Sequence, residues 1–375
     1  RMTYHMIPVN EPVLSANAKK YVNDCLDTGW ISSAGSYISR FEQDFSTYIG
    51  TKYAVTTTNG TTALHLALAS LGIGPGDEVI VPDLTIISCV AAVIYTGATP
   101  VLVDVEPTYG TLDPDSLARG ITPNTKAIMP VHLYGHPADM DRILEIANQH
   151  GIPVIEDAAE AHGALYKDRK AGSLGTISCF SFYANKLITT GEGGMICTND
   201  QTIYEKAKLL KDLAHVPGKR FYHQEIGFNY RMTNLQAAIG VAELEQIDSY
   251  ISHKRTMAQH YNKLLRDILY LELPQEADWA RSSFWMYAVR VRPDSPIDKD
   301  TLRAILKEKG IDTRDFFYPL HKQPALQKKG MGKKASCPVS IDLSSRGFYL
   351  PSGLALSNDH IEIVSKTLHT IFKIN

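Results

Sequence analysis

The chain has 375 residues and a formal net charge of −2, from 38 Lys and Arg against 40 Asp and Glu, with both signs interspersed; it offers no basic field to a nucleic acid. No apolar run approaches the roughly 18 residues of a membrane span and no signal segment opens the chain, which points to a cytoplasmic protein. Five cysteines are an odd number without metal-ligand spacing and read as small buried hydrophobes in a reducing compartment.

Arg1 stands where an initiating methionine is expected, as in a trimmed start. Met6-Ile7-Pro8-Val9 reads as a short extended arm, and residues 17–28 place Val22, Cys25 and Leu26 at helical spacing. The polar loop Gly29-Trp30-Ile31-Ser32-Ser33-Ala34-Gly35 carries one large ring, of the kind that ordinarily anchors a core. Residues 41–48 form a helical pattern and Tyr53-Ala54-Val55 a strand. Thr56-Thr57-Thr58-Asn59-Gly60-Thr61-Thr62 then opens a helix through Ser70. Such a turn is either a simple N-cap or, because N–H groups, hydroxyls and the helix dipole converge there, a seat for a phosphate.

Val79-Ile80-Val81-Pro82, Pro100-Val101-Leu102-Val103-Asp104, Ala127-Ile128-Met129-Pro130-Val131 and Val154-Ile155-Glu156-Asp157 are continuous apolar strands. Helical patterns lie between them at 87–95, 115–117 and 140–150. Strands that do not alternate are covered on both faces, so the expected class is α/β, a three-layer, mostly parallel sheet with helices on each side. Asp157 falls at the carboxyl end of its strand, where such sheets display functional groups. Ala158 and Ala159 follow it and let a flat group approach the backbone. A carboxylate there either caps the strand or keeps a heterocyclic nitrogen protonated.

The next strand, Ile177-Ser178-Cys179-Phe180-Ser181-Phe182, delivers Lys186 into the turn Thr189-Thr190-Gly191-Glu192-Gly193-Gly194. A lysine so placed is either a solvated strand-end cation or an amine held and desolvated for a Schiff base with a carbonyl compound. Anion seat, ring-nitrogen carboxylate and amine, in that order, are what pyridoxal 5'-phosphate (PLP) requires.

Residues 203–213 are helical, and 214–225 lose periodicity among His215, Lys219, Arg220, Phe221, Tyr222 and His223, reading as a mobile surface loop. From Asn234 a helical pattern runs to Leu265 as one long bridge. Residues 284–291 alternate as a strand, 299–309 are helical, and 359–372 form the last helix. The lysines around Gly330 and Gly332 read as a solubilising loop. The expected division is a large unit, 1–249, with its N-terminal arm, and a smaller C-terminal α+β unit, 250–375.

The ordered segments Asn59-Gly60-Thr61-Thr62-Ala63-Leu64, Gly74-Pro75-Gly76-Asp77-Glu78-Val79, His132-Leu133-Tyr134-Gly135, Glu156-Asp157-Ala158-Ala159-Glu160-Ala161, Asn185-Lys186 with Gly191-Glu192-Gly193-Gly194, and Gly227-Phe228-Asn229-Tyr230-Arg231-Met232 resemble the DegT/DnrJ/EryC1/StrS sugar aminotransferase family. The resemblance covers nearly the whole chain and implies fold type I of the PLP-dependent aminotransferases. It implies that Lys186 is the catalytic, cofactor-bearing lysine and that Asp157 pairs with the ring nitrogen. Ala159 would pack on the ring face, and Gly60, Thr61, Ser181 and the partner's Asn229 would hold the phosphate. Glu160 would face the phenolic side or the sugar. Ile86 stands where relatives carry an aromatic that stacks on the ring. Trp30, Ser32, Lys219, Arg220, Arg231, Arg314, Tyr318 and His321 are expected around the sugar nucleotide, and no metal is expected.

The implied assembly is a homodimer or tetramer with shared sites. The implied reaction takes the amino group of L-glutamate, leaving 2-oxoglutarate, to C4 of a nucleotide-linked 4-keto-6-deoxyhexose. GDP-4-keto-6-deoxy-D-mannose stands ahead of UDP- or dTDP-4-keto-6-deoxy-D-glucose. A dehydratase of the same fold would carry histidine at the position of Lys186, and a non-catalytic sugar-nucleotide binding protein would have no use for a poised lysine and carboxylate.

Overall fold

The structure, a computed structural model, describes residues 6–374; Arg1 lies outside them. Helices α1 (Ala16–Thr28) and α2 (Ser36–Ile49) precede β1 (Tyr53–Thr57). Helices and strands then alternate: α3 (Gly60–Ser70), β2 (Glu78–Pro82), α4 (Ser88–Tyr95), β3 (Thr99–Val103), α5 (Pro114–Gly120), β4 (Thr125–Ile128), α6 (Met140–His150) and β5 (Ile155–Asp157). Two short strands, β6 (Leu165–Tyr166) and β7 (Arg169–Lys170), lead to β8 (Ile177–Ser181), β9 (Gly194–Thr198) and α7 (Gln201–Lys211).

The strands order as β1-β9-β8-β5 and as β3-β2-β4. Parallel bridges Ile128–Val154 and Val131–Asp157 join β4 to β5, so one sheet runs β1-β9-β8-β5-β4-β2-β3. Only β9 runs against its neighbours; the remaining strands are mutually parallel, as the continuous apolar runs predict. One face packs through Leu64, Leu68, Val90 and Ile203 of α3, α4 and α7. The other face packs through Phe41 and Phe45 of α2 and, further along, Leu117 and Ile143 of α5 and α6. Phe45 meets Phe180 edge-on at 4.8 Å and Phe182 at 5.3 Å, which fixes the end of β8 just before Lys186.

The pattern from Asn234 to Leu265 is two helices, α8 (Asn234–Leu244) and α9 (Ile247–Leu265), not one. Polar tertiary contacts sit at the break: Glu245 accepts from Asn17, Tyr21 and Arg40, while Glu243 accepts from the Thr189 N–H and the Tyr250 hydroxyl. These hold α8 against α1 and α2 and let α9 turn toward the C-terminal sheet. Residues 214–225, read as a loop, contain a hairpin of β10 (His215–Val216) and β11 (Lys219–His223). A ribbon exposed on both faces has no apolar alternation to announce it.

The C-terminal sheet runs β12-β14-β16-β15, all antiparallel, from β12 (Leu271–Glu272), β14 (Tyr287–Val291), β15 (Arg314–Asp315) and β16 (Gly347–Leu350). Strand β13 (Ala280–Arg281) pairs instead with β6. Tyr261, Leu302, Val364 and Leu368 of α9, α10 (Lys299–Glu308) and α13 (Asn358–Ile374) form this sheet's core. The N-terminal arm joins the same core at Ile7, which bridges to Ile311. Two helices not expected from periodicity, α11 (Pro324–Lys328) and α12 (Pro338–Arg346), each begin with proline at the first turn, and Asp104 at the end of β3 accepts the Val339 and Ser340 N–H groups at the start of α12.

Candidate active site

The loop after β8 is closed on itself. The Phe182 N–H donates to Gly193 O, the Thr190 N–H to Phe182 O and the Lys186 N–H to Tyr183 O, while Gly191 takes φ +80° at the turn. Lys186 lies deep in the molecule and keeps part of its surface open to a cavity of about 720 Å³ at the carboxyl ends of the parallel strands. Asp157, Gly60, Thr61 and Ser181 line the same cavity, together with Arg314 and Ile86.

The anion seat is built at the start of α3. Asn59 Oδ1 accepts the Thr62 N–H at 2.8 Å and the Asn59 N–H donates back to Thr62 Oγ1 at 3.0 Å, a capping box that sets the helix entry. The first turn beyond it leaves Gly60 against Ser181. A Cβ on Gly60 would lie 2.8 Å from Ser181 Cβ, so only glycine lets the helix start approach the end of β8. The Thr61 hydroxyl donates to Ser88 Oγ at 2.8 Å, which places the hydroxyls of Thr61, Ser88 and Ser181 about one concavity.

Asp157 is almost fully buried. Its Oδ1 accepts the Ala159 N–H at 3.0 Å, and its Oδ2 accepts the Cys89 thiol at 3.0 Å. Its neighbour Glu156 points the other way and holds the strand. Glu156 accepts from the N–H groups of Gly172, Leu174 and Gly175 at 2.7–2.8 Å and from His132 Nε2 at 2.9 Å. Burial pushes the Glu156 carboxyl up, but His132 and these N–H groups outweigh it and hold the carboxyl below its ordinary value. This stabilisation is fully present above the ordinary glutamate range and is lost below it, as pH falls through the lowered folded-state pKa. Glu156→Gln is expected to cost roughly 3 kcal/mol, because an amide NH2 would face buried N–H donors. The midpoint of urea unfolding measures this, and an unchanged midpoint would mean the network does not hold the strand.

Burial pushes the Lys186 ammonium below its ordinary pKa, with Glu160, Asp157 and Cys89 acting in the opposite sense. Burial raises Glu160 to about 8, against the pull of Lys186 and with the push of Asp157. Burial thus favours the neutral form of both groups, while each favours the charge of the other. His162 is held neutral, its pKa lowered to about 3 by burial and by Lys186, and its Nε2–H donates to Ser181 O at 2.9 Å.

PLP fits this donor set. The hydroxyls and helix start suit a phosphate, the buried Asp157 a ring nitrogen, and the amine an aldehyde. Glu160 Oε1 and Asn185 Oδ1 are buried without a hydrogen-bond partner beside the lysine, as polar atoms awaiting a polar ligand would be. Ala159 lines the cavity with only a methyl group.

The other residues singled out in the sequence do not line this cavity within one chain. Trp30 is 59% exposed, and its carbonyl and that of Ser32 are tied to Asn234. Lys219 and Arg220 lie on the exposed hairpin. Arg231 pairs with Asp212 at 2.6 Å, and Asn229 bridges to the same aspartate. Tyr318 is 64% exposed. His321 donates its backbone N–H and Nδ1–H to Asp83, which also accepts the Ser340 hydroxyl, so Asp83, His321 and Ser340 form a closed clasp between β2 and α12. Asn10, Ser88, Cys89, Trp285 and Tyr349 belong to the site and were not singled out. Ser88 had a signal, as the first residue of the helix after β2, mirroring Gly60 after β1.

The sequence profile of the DegT/DnrJ/EryC1/StrS aminotransferase family matches residues 12–369. The chain is 50% identical over 319 residues to the GDP-perosamine synthase of Caulobacter vibrioides, covering 85% of this chain and 86% of that one. It is 44% identical over 366 residues to that of Escherichia coli O157:H7, with 98% of each covered. Among solved structures, DesV of S. venezuelae, in complex with a ketimine intermediate, superposes with a TM-score of 0.89 at 35% identity, over 96% of this chain and 95% of that one. The PLP form of a putative sugar aminotransferase from Streptococcus pneumoniae superposes at 0.93 with 26% identity, over 99% of each.

Proposed function

Because the chain belongs to the DegT/DnrJ/EryC1/StrS aminotransferase family, we propose that it uses PLP to move the amino group of L-glutamate to C4 of a nucleotide-linked 4-keto-6-deoxyhexose, converting GDP-4-keto-6-deoxy-D-mannose to GDP-perosamine. The observation that carries this is the convergence of Lys186, Asp157 and the Gly60–Ser181 cradle on one cavity.

When bound, PLP supplies an electron sink for the negative charge left on a carbon that loses its proton. Thr61, Ser88, Ser181 and the N–H groups beginning α3 hold its phosphate. Asp157, kept in place by the Ala159 N–H and the Cys89 thiol, would pair with the ring nitrogen. Ala159 would leave room for the ring, and Ile86, which lines the same cavity, would offer it apolar surface in place of an aromatic. Lys186 Nζ takes a proton from the α-carbon of glutamate in one half of the cycle and delivers one to C4 of the sugar in the other, a role suited to its lowered pKa. Arg314 at the cavity wall provides the cation for a substrate carboxylate or diphosphate.

The same reading makes the active unit at least a homodimer, in which Trp30, Ser32, Lys219, Arg220, Asn229 and Arg231 complete a partner's site, and keeps the division into 1–249 and 250–375. Exposed Phe221, Tyr222 and Ile226 on and beside the hairpin support it, as apolar surface of the kind that contacts bury. Light scattering is expected to give a dimer or tetramer, and a fully active monomer at assay concentration would overturn it.

A competition assay tests the substrate. Purified protein with L-glutamate and equal amounts of the GDP-, UDP- and dTDP-linked 4-keto-6-deoxy sugars is expected to aminate the GDP compound with the highest kcat/KM, read by product mass. A site that hydrogen-bonds the polar edge of one base discriminates strongly against another. A higher kcat/KM for the UDP or dTDP compound would overturn the choice of nucleotide, and no aminated product at all would overturn the reaction class.

A further inference from the structure

We propose that Trp285 is a positioning residue for Lys186: its indole N–H anchors the peptide that carries the lysine, and its ring face seats the lysine amine whenever that amine is free. The inference rests on the reading of Lys186 as the cofactor-bearing lysine.

Three separate parts of the chain meet at this peptide. The carbonyl of Asn185 accepts two hydrogen bonds, from Trp285 Nε1 at 2.7 Å and from Asn10 Nδ2 at 3.0 Å. The first donor precedes β14 in the C-terminal part and the second comes from the N-terminal arm. Neither donor is loose. Trp285 is 3% exposed, and its carbonyl accepts from Lys254 Nζ, which bonds Ser352 O as well. The arm lies hard against Gly353, where a Cβ would come within 2.5 Å of the Glu11 nitrogen. The carbonyl one residue before Lys186 is therefore tied to two rigid neighbours, and the lysine stem starts from a fixed point.

The far end of the stem is also met. Lys186 Nζ lies 4.1 Å from the centroid of the Trp285 ring. An aromatic face attracts an ammonium through its quadrupole but has no lone pair to take its proton. The indole therefore holds the amine within reach and leaves its proton for transfer. A free lysine side chain also has a large rotamer entropy, so a seat that narrows its positions raises the fraction of time it spends at the reacting carbon.

Other groups act on the same amine. Asp157, Glu160 and Cys89 oppose its loss of charge, and its own charge helps keep His162 neutral. Glu11, Glu243 and Lys254 line a small cavity on the other side of the loop. Glu192, Arg314 and Asp315, with Tyr183 and Tyr349, line the main one. All three substitutions remove the indole N–H, and only Trp285→Phe keeps a ring face, so the difference between phenylalanine and the two aliphatic variants reports the ring.

The test uses apoenzyme, prepared by removing the cofactor, of the wild type and of the Trp285→Phe, Trp285→Leu, Trp285→Met and Asn10→Ala variants. Each is mixed with PLP, and the rate at which the visible band of lysine-linked cofactor appears is followed from pH 6 to 10. The midpoint of the rate profile reports the amine's titration. Trp285→Phe keeps a ring face and is expected to hold the wild-type midpoint. Trp285→Leu and Trp285→Met lose the face and are expected to lower it by about one pH unit, because the charged amine loses its seat. Methionine fills most of the volume, so it remains informative if leucine fails to fold. Trp285→Phe and Asn10→Ala each remove one anchor and are expected to slow the linking rate severalfold at every pH. Leucine and methionine variants with the wild-type midpoint would overturn the inference. A wild type that forms no band would instead overturn the reading of Lys186, which separates the two failures.

Discussion

Lys186→Ala is expected to lower kcat by about four orders of magnitude or more, because on the proposed function one amine both links the cofactor and moves the proton in each half of the cycle. His162, whose charge the Lys186 ammonium opposes, is held neutral and spends its Nε2–H on Ser181 O. Burial raises the Glu160 carboxyl above its ordinary range, which favours its neutral form and makes it a poor proton acceptor. The variant is expected to keep weaker, non-covalent binding of PLP, since the Gly60–Ser181 cradle and Asp157 are untouched by the change. Borohydride reduction of the wild type followed by peptide mapping should find the adduct on Lys186, and the variant should give none. An adduct on another lysine, or a variant retaining more than a hundredth of wild-type kcat, would refute the assignment.

Asp157→Asn is expected to cost about 10²–10³ in kcat, the scale for removing one preorganised electrostatic partner from a water-poor site. The substitution is nearly isosteric, and its amide oxygen can still accept the Ala159 N–H. It no longer offers a full negative charge to a ring nitrogen, so the loss should fall on kcat while the concentration of PLP needed for half-loading changes little, the phosphate seat being separate. Steady-state kinetics at saturating cofactor, with a parallel PLP titration, checks both halves. A variant with wild-type kcat would show that Asp157 does not serve the ring nitrogen. Variants at Glu156 and Asp157 should therefore part company: the former acts through stability and the latter through turnover, although the two residues are adjacent.

Much of the three-layer architecture can be read from the chain because its causes are local. Val79-Ile80-Val81 and Ile177 to Phe182 are apolar without alternation, which only a sheet covered on both faces accommodates, and α6 spans the residues its periodicity predicts. The Asn59 capping box is likewise contained within four residues. The break between α8 and α9 could not be read in this way. Residues 234–265 keep helical spacing throughout, and what stops the helix is a set of polar contacts from Asn17, Tyr21, Arg40 and Thr189, all distant in sequence.

The same distinction divides the site. Lys186 after an aromatic strand, Asp157 at a strand end and Gly60 opening a helix are each legible from their neighbours, because the backbone feature that presents them is encoded within a few residues. Which of them share a cavity, and with what electrostatics, depends on strand order. Residues 53–57 and 177–181 both pair with 194–198, and that pairing brings Gly60 within contact of Ser181. Cys89 looks like any buried hydrophobe until the parallel sheet sets its thiol against Asp157. Asn10 and Trp285, 275 residues apart in the chain, carry no local sign that both donate to one carbonyl. The raised pKa of Glu160 and the lowered one of Lys186 have the same origin, since desolvation is a property of everything packed around a group and not of its position in the sequence.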